Sequence, residues 1–231
     1  MEQLIAALIA SHFIADFLFQ PHWLVEHKNK LSFLLLHAAI HALVVYFVLQ
    51  VWSCWQAPIG VFILHTIIDG IKARIDINAA TLFALDQAAH IISLFFLGWM
   101  LLHSNWMTTL DMIGYKPLIF TAGLIATIRG SGFFIGKFTR DLIEKDKELK
   151  EKLKGLANGG KLIGQLERAL IFLFVYIGQP AGIGFLVAAK SILRFEEAKE
   201  QKIAEYVLIG TLMSFSFAIA ISSITMWALN L

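Results

Sequence analysis

Four times between positions 12 and 90, two side chains of metal-ligand type stand four residues apart inside an apolar segment. They are His12/Asp16 in SHFIADFLFQ, His37/His41 in LHAAIHALVVYF, His65/Asp69 in LHTIIDGIKAR and Asp86/His90 in LDQAAHIISLFF. On a helix, residues i and i+4 share a face one turn apart, with Cβ atoms roughly 6 Å apart. Each pair is thus a two-toothed clamp aimed in one direction. The clamps hold five of the chain's eight histidines. They also hold three aspartates, each of which costs about 3 kcal/mol near the centre of a bilayer unless it has a partner. Four such clamps on four helices describe a polynuclear metal site.

The donor types narrow the metal. Imidazole mixed with carboxylate and no thiolate selects zinc, manganese or iron(II), and the single cysteine, Cys54, excludes both a disulfide and a cysteine-based zinc site. Eight ligands suffice for two ions. Three carboxylates against two divalent ions leave one positive charge, which attracts an anion such as a phosphate group. Asp16 and Asp69 are the candidate catalytic carboxylates, either bridging the ions or accepting the proton of an attacking water. Gln20, Lys72, Arg74 and Gln87 flank the clamps. For Lys72 and Arg74 the expectation is simple snorkelling to the interface. Further along, Arg168, Lys190 and Arg194 are candidates to grip a lipid phosphate, with Glu167 or Glu205 as ion-pair partners. A purely structural charge network explains those three cations equally well.

The elements that must position these residues are membrane helices. The chain has 231 residues, 58% of them hydrophobic, and a mean hydropathy of +0.72. Apolar runs near 20 residues recur throughout, which predicts an all-α, polytopic membrane bundle of about eight spans. The expected helices cover about 4–20, 31–52, 59–71, 82–102, 117–136, 162–177, 180–194 and 207–229. They divide into a metal-binding half, 1–103, and a second half, 104–231, which includes a charged helical segment at 139–156. Arg129-Gly130-Ser131-Gly132 interrupts the fifth helix. The first residues lack the basic region and cleavage signal of a secretory peptide, so they read as the first span.

Of the 19 lysines and arginines, fifteen fall in the connections 1–2, 3–4, 5–6 and 7–8, counting helix ends, and only Lys116 lies on the other side. The positive-inside rule then places those connections, and the 139–156 segment, in the cytoplasm and both termini outside. In this scheme all four clamps lie at one depth in the inner half of the membrane, a coincidence that the spacing alone does not require. A weak repeat accompanies it: LHAAIHALVVYF and LDQAAHIISLFF align without gaps, as two hairpins related by an axis along the membrane normal would. GLANGGKL at 155–162 has the outline of a phosphate loop, but Leu162 replaces the Ser/Thr and no strand precedes it. Its glycines read as a turn before the sixth helix. No basic and aromatic surface of the nucleic-acid kind is present.

The clamps, with the later GKLIGQLER and AAKSILRF segments, resemble an uncharacterised bacterial inner-membrane family, domain of unknown function 3307. The HxxxD clamps are also similar to those of membrane-bound metal-dependent hydrolases related to zinc-dependent phospholipase C. That second resemblance implies zinc and phosphoester hydrolysis for His12, Asp16, His37, His41, His65, Asp69, Asp86 and His90. The expectation is therefore a membrane-embedded, metal-dependent hydrolase acting on a lipid or lipid-linked phosphoester at the cytoplasmic side. The alternatives are a metal-ion or proton-coupled transporter, and a non-catalytic membrane partner docking a cytoplasmic protein through 139–156.

Overall fold

The structure, a computed structural model, describes residues 1–21, 23–24, 27, 30–107, 114–145, 157–193 and 201–231. These residues are all-helical, with no strand among them. The helices are α1 (Glu2–Phe17), α2 (Leu31–Leu49), α3 (Gln56–Lys72), α4 (Ala79–His103), α5 (Tyr115–Ile125), α6 (Ser131–Lys145), α7 (Ala157–Tyr176), α8 (Pro180–Leu193) and α9 (Gln201–Ala228). A π-helical turn, Ala126–Gly130, joins α5 to α6. The helix ends follow local chemistry. The Asn78 side chain accepts a hydrogen bond from the Thr81 backbone N–H at 2.8 Å and caps α4. Pro58 and Pro180 stand in first turns, where a missing N–H leaves no hydrogen bond unmade. Gln50, at φ 56°, ends α2 in the left-handed region.

Four helical stretches are long and apolar enough to cross a membrane: Leu31–Leu49, Ala79–His103, Tyr115–Glu144 and Ala204–Ala228. The expected count of eight is therefore not met. Pro180–Ile192 is apolar but short. At 16 and 17 residues, α1 and α3 are also short, about 24–26 Å at the helical rise, against a hydrocarbon thickness near 30 Å. The N-terminal turns of α7 carry Lys161, Glu167 and Arg168, too many charges for a plain span. The glycines at 159 and 160 lie within α7 rather than in a turn before it.

The chain forms two compact units, Met1–Ile125 with Ala228–Leu231, and Ala126–Trp227. In the first, α1 packs on α2 and α4, and α3 packs on the same two helices, which closes a ring of four; α5 packs on α1. Each ring helix turns one stripe inward at a spacing of four or nearly four: Leu4, Leu8, His12 and Asp16; His37, His41, Val45 and Leu49; Ala57, Val61, His65 and Asp69; Asp86, His90, Leu94, Leu97 and Leu101. Because successive helices run in opposite directions, the aliphatic halves of the stripes meet in one layer. That layer is a single buried core of Leu4, Leu8, Val45, Leu49, Ala57, Val61, Leu94, Leu97 and Leu101 with Cys54 and Met107. The ligand halves meet in a second layer. The outer faces are apolar as well: α3 exposes Ile59, Ile63, Ile67 and Ile71 at about half of their surface. A helix with polar groups inside and isoleucine outside is built for lipid.

In the second unit, Arg168 binds a carbonyl of the π turn. Its Nε and Nη2 donate to the Ile128 oxygen at 3.2 and 2.9 Å, and its Nη1 donates to Ser214 Oγ at 3.2 Å. Gly132 and Gly164 give the guanidinium room: a Cβ on either would stand 2.7 or 3.0 Å from it. Ile171, Phe215 and Ala218 form this unit's apolar core.

Candidate metal centre

The first unit brings all eight clamp residues together. Three donor groups have ligand atoms within 4.8 Å of one another: His12/His41/His65, Asp16/His37/His41, and Asp69/Asp86/His90. They run into one cluster. His41 belongs to two of them, His37 Nε2 lies 3.2 Å from Asp69 Oδ2, and the His65 and His90 rings have centroids 4.3 Å apart. All are buried except Asp16, whose side chain is 11% exposed. The order of helices explains the convergence: every clamp sits on its inward stripe, one or two turns beyond the aliphatic layer.

Hydrogen bonding fixes which nitrogens are bare. His90 Nδ1 donates to the Asp86 backbone carbonyl at 2.9 Å. A carbonyl only accepts, so the proton is on Nδ1 and Nε2 keeps its lone pair. That Nε2 is buried and without a hydrogen-bond partner. Gln87 sets a second chain. Its amide nitrogen donates to Asp16 Oδ2 at 2.9 Å, so its oxygen faces His12 Nε2 at 3.3 Å, which must be protonated. His12 Nδ1 then accepts from His65 Nε2 at 3.2 Å, which leaves His65 Nδ1 bare, buried and unpartnered. Both ring nitrogens of His41 also lack a hydrogen bond. One of them, Nε2, is 3.4 Å from Asp16 Oδ1, close enough for attraction but off hydrogen-bond geometry. Buried polar atoms are nearly always paired, and each unpaired one costs about 1–3 kcal/mol. Of the four orphaned imidazole nitrogens, one of the His41 pair must carry its N–H, which leaves three lone pairs. With an orphaned Asp86 Oδ1 in the same cluster, these fit a divalent cation that would replace the missing partners and offset the carboxylate charge.

The groups around the donors behave as supports. Gln20 Nε2 donates to His37 Nδ1 at 3.3 Å, so the His37 proton is on Nε2, which faces Asp69 Oδ2 at 3.2 Å and Asp16 Oδ1 at 3.5 Å. Ligation through His37 Nε2 would require that proton to leave. Gln87 links Asp16, His12 and, at 3.4 Å, Asp86. Arg74 is exposed, as interface snorkelling requires. Lys72 is not. Its Nζ lies 2.6 Å from Asp86 Oδ2 and 4.0 Å from Asp69 Oδ1, with 29% of the side chain exposed, so the expectation of snorkelling is corrected. The signal was in the sequence: Lys72 follows Asp69 by three residues and shares its face.

Of the expected phosphate-gripping cations, Arg168 and Lys190 belong to the second unit, where each has protein partners. Lys190 Nζ is 2.6 Å from Glu167 Oε2 and 5.2 Å from the Phe215 ring centre. Glu167 is thus an ion-pair partner of Lys190, and Glu205 is exposed on α9. Arg194 and positions 146–156 of the charged segment lie outside the described residues.

Residues 4–114 match a family model described as a protein of unknown function (DUF3307). The match spans 111 of the 231 residues and includes all four clamps. No match was found among curated proteins or among solved structures.

Proposed function

We propose that the first unit is a dinuclear, zinc-type metal centre that hydrolyses a lipid or lipid-linked phosphoester at the cytoplasmic side of a bacterial inner membrane. The observation that carries the reading is the set of orphaned, buried imidazole nitrogens beside three carboxylates. Held by these ligands, divalent ions would supply Lewis-acid polarisation of a phosphoryl oxygen and acidification of a water. The chain's own residues supply the rest. Asp16, the least buried of the three carboxylates, or Asp69 would bridge the ions or accept the proton of the attacking water. Asp69, more buried than Asp16, lies beside His37 and Lys72. Gln20 and Gln87 keep the imidazoles in place, and the aliphatic layer below excludes water from one side.

That same layer favours an enzyme over a transporter. A transit path needs polar groups on both sides of the ions, and here the ring beyond the clamps is closed by Leu4, Leu8, Val45, Leu49, Val61, Leu94, Leu97 and Leu101. Purified protein, loaded with Zn2+ or Mn2+, is to be incubated with a panel of phospholipids and polyprenyl phosphates. Metal-dependent release of phosphate or a phosphorylated headgroup is expected, and its loss in Asp69→Asn with the fold retained. Absence of turnover, together with metal flux into proteoliposomes that needs Asp69, would establish the transporter instead.

A further inference from the structure

The donor group Asp69/Asp86/His90 already holds a positive charge, and it comes from the protein. The Lys72 ammonium is 2.6 Å from one Asp86 oxygen and 4.0 Å from an Asp69 oxygen, the distances at which a cation compensates two carboxylates. The other Asp86 oxygen and His90 Nε2 are buried with no hydrogen-bond partner. The pocket is thus half occupied by an ammonium and half left for an ion. A divalent cation bound between these carboxylates and a point charge of the same sign compete for them at such distances, because the repulsion grows as the separation shrinks and burial weakens its screening. The ammonium sits on a flexible four-carbon stem at the end of α3, and it is the most exposed charged group of the cluster. It has somewhere to go.

Resting on the metal-centre reading above, we infer that Lys72 is a resident cation of the Asp69/Asp86/His90 pocket, displaced when a divalent ion enters. Its role is to make one of the two ion positions weaker than the other. Until displacement, the lysine keeps Asp86 and Asp69 compensated inside the bundle. Afterwards its ammonium stands at the open end of a site that two ions have made positive, where it adds to the attraction for a phosphate group.

The test is a Zn2+ titration of the full chain in detergent, repeated with Mn2+, comparing wild type with Lys72→Gln. Wild type should bind two ions with unequal affinities. The substitution should tighten the weaker one tenfold or more and leave the tighter one within about threefold. Unchanged or weakened binding in the variant would overturn the inference, since Lys72 would then be a support for Asp86 rather than its rival. Wild type that binds no ion at all would overturn the metal-centre reading itself, so the two failures are distinct. A second measurement uses only native protein and so survives a variant that does not fold. Acetic anhydride labelling of Lys72, read by mass spectrometry, should rise severalfold on adding Zn2+ as the amine leaves its ion pair. Labelling that stays level or falls would count against displacement.

Discussion

At the residue scale, the site turns on which imidazole nitrogen is bare. His90 owes its unprotonated Nε2 to a single backbone carbonyl four residues earlier on α4, an intrahelical contact that persists whatever the rest of the ring does. His37 and His41 share α2 and between them reach Asp16 and Asp69 on two other helices. Replacing both with Ala should remove bound metal nearly completely. It should also lower the metal-dependent part of thermal stability, about 4 kcal/mol when free ion exceeds its dissociation constant a thousandfold; elemental analysis and thermal unfolding with and without chelator measure the two effects. His90→Ala should instead cost one ion of two. The ligand types and their spacing were legible in the sequence, because four-residue repetition on a helix is a local property. For Lys72 only the Asp69 spacing was legible; its closest contact and the protonation pattern were not. Both depend on partners from other helices: Asp86 for the lysine, Gln87 for His12.

At the element scale, the inward stripes carry the fold and the site on one register. Leu4 and Leu8 continue into His12 and Asp16 without a break in spacing, and Ala57 and Val61 continue into His65 and Asp69. Anything that shifts a helix along its axis therefore misaligns ligands and core together. Gly60 is where that register is most exposed to change: a Cβ there would stand 2.6 Å from Leu97 Cδ1 in the aliphatic layer. Gly60→Val should cost about 1–3 kcal/mol by overpacking, with metal affinity falling in parallel because α3 and α4 both bear ligands. Thermal unfolding and ion titration of the same sample test the pairing; destabilisation with unchanged affinity would separate core from site. Hydropathy could locate the helices but not their ends: Gln50, in the left-handed region, stops α2 at Leu49 instead of about 52, and α3 starts at Gln56 instead of about 59. The π turn in the middle of 115–145 was visible only as a glycine-rich interruption; the binding of its carbonyl by Arg168 is a matter of tertiary contact.

At the scale of the molecule, the charge asymmetry makes its own statement. In the eight-span scheme expected from the sequence, fifteen of the 19 basic residues fall on one side, and the positive-inside rule then predicts both termini outside and the charged segment at 139–156 inside. In a background with Cys54, the only cysteine, replaced by Ala, a cysteine introduced at position 2 should react with an impermeant thiol reagent on intact cells, and one at position 148 should not. The opposite pattern would invert the topology and move the ligand layer to the outer side.

The shortness of α1 and α3 has a consequence for the lipid around them. Two members of the ring are about 24–26 Å long, several ångströms less than the bilayer hydrocarbon, and a bilayer meets such a hydrophobic mismatch by thinning locally. Both helices end, at Phe17 and Lys72, within one turn of their ligands Asp16 and Asp69. A thinned leaflet there would lower the headgroups toward the ions, so that a phosphate could reach the metal layer without its lipid leaving the membrane.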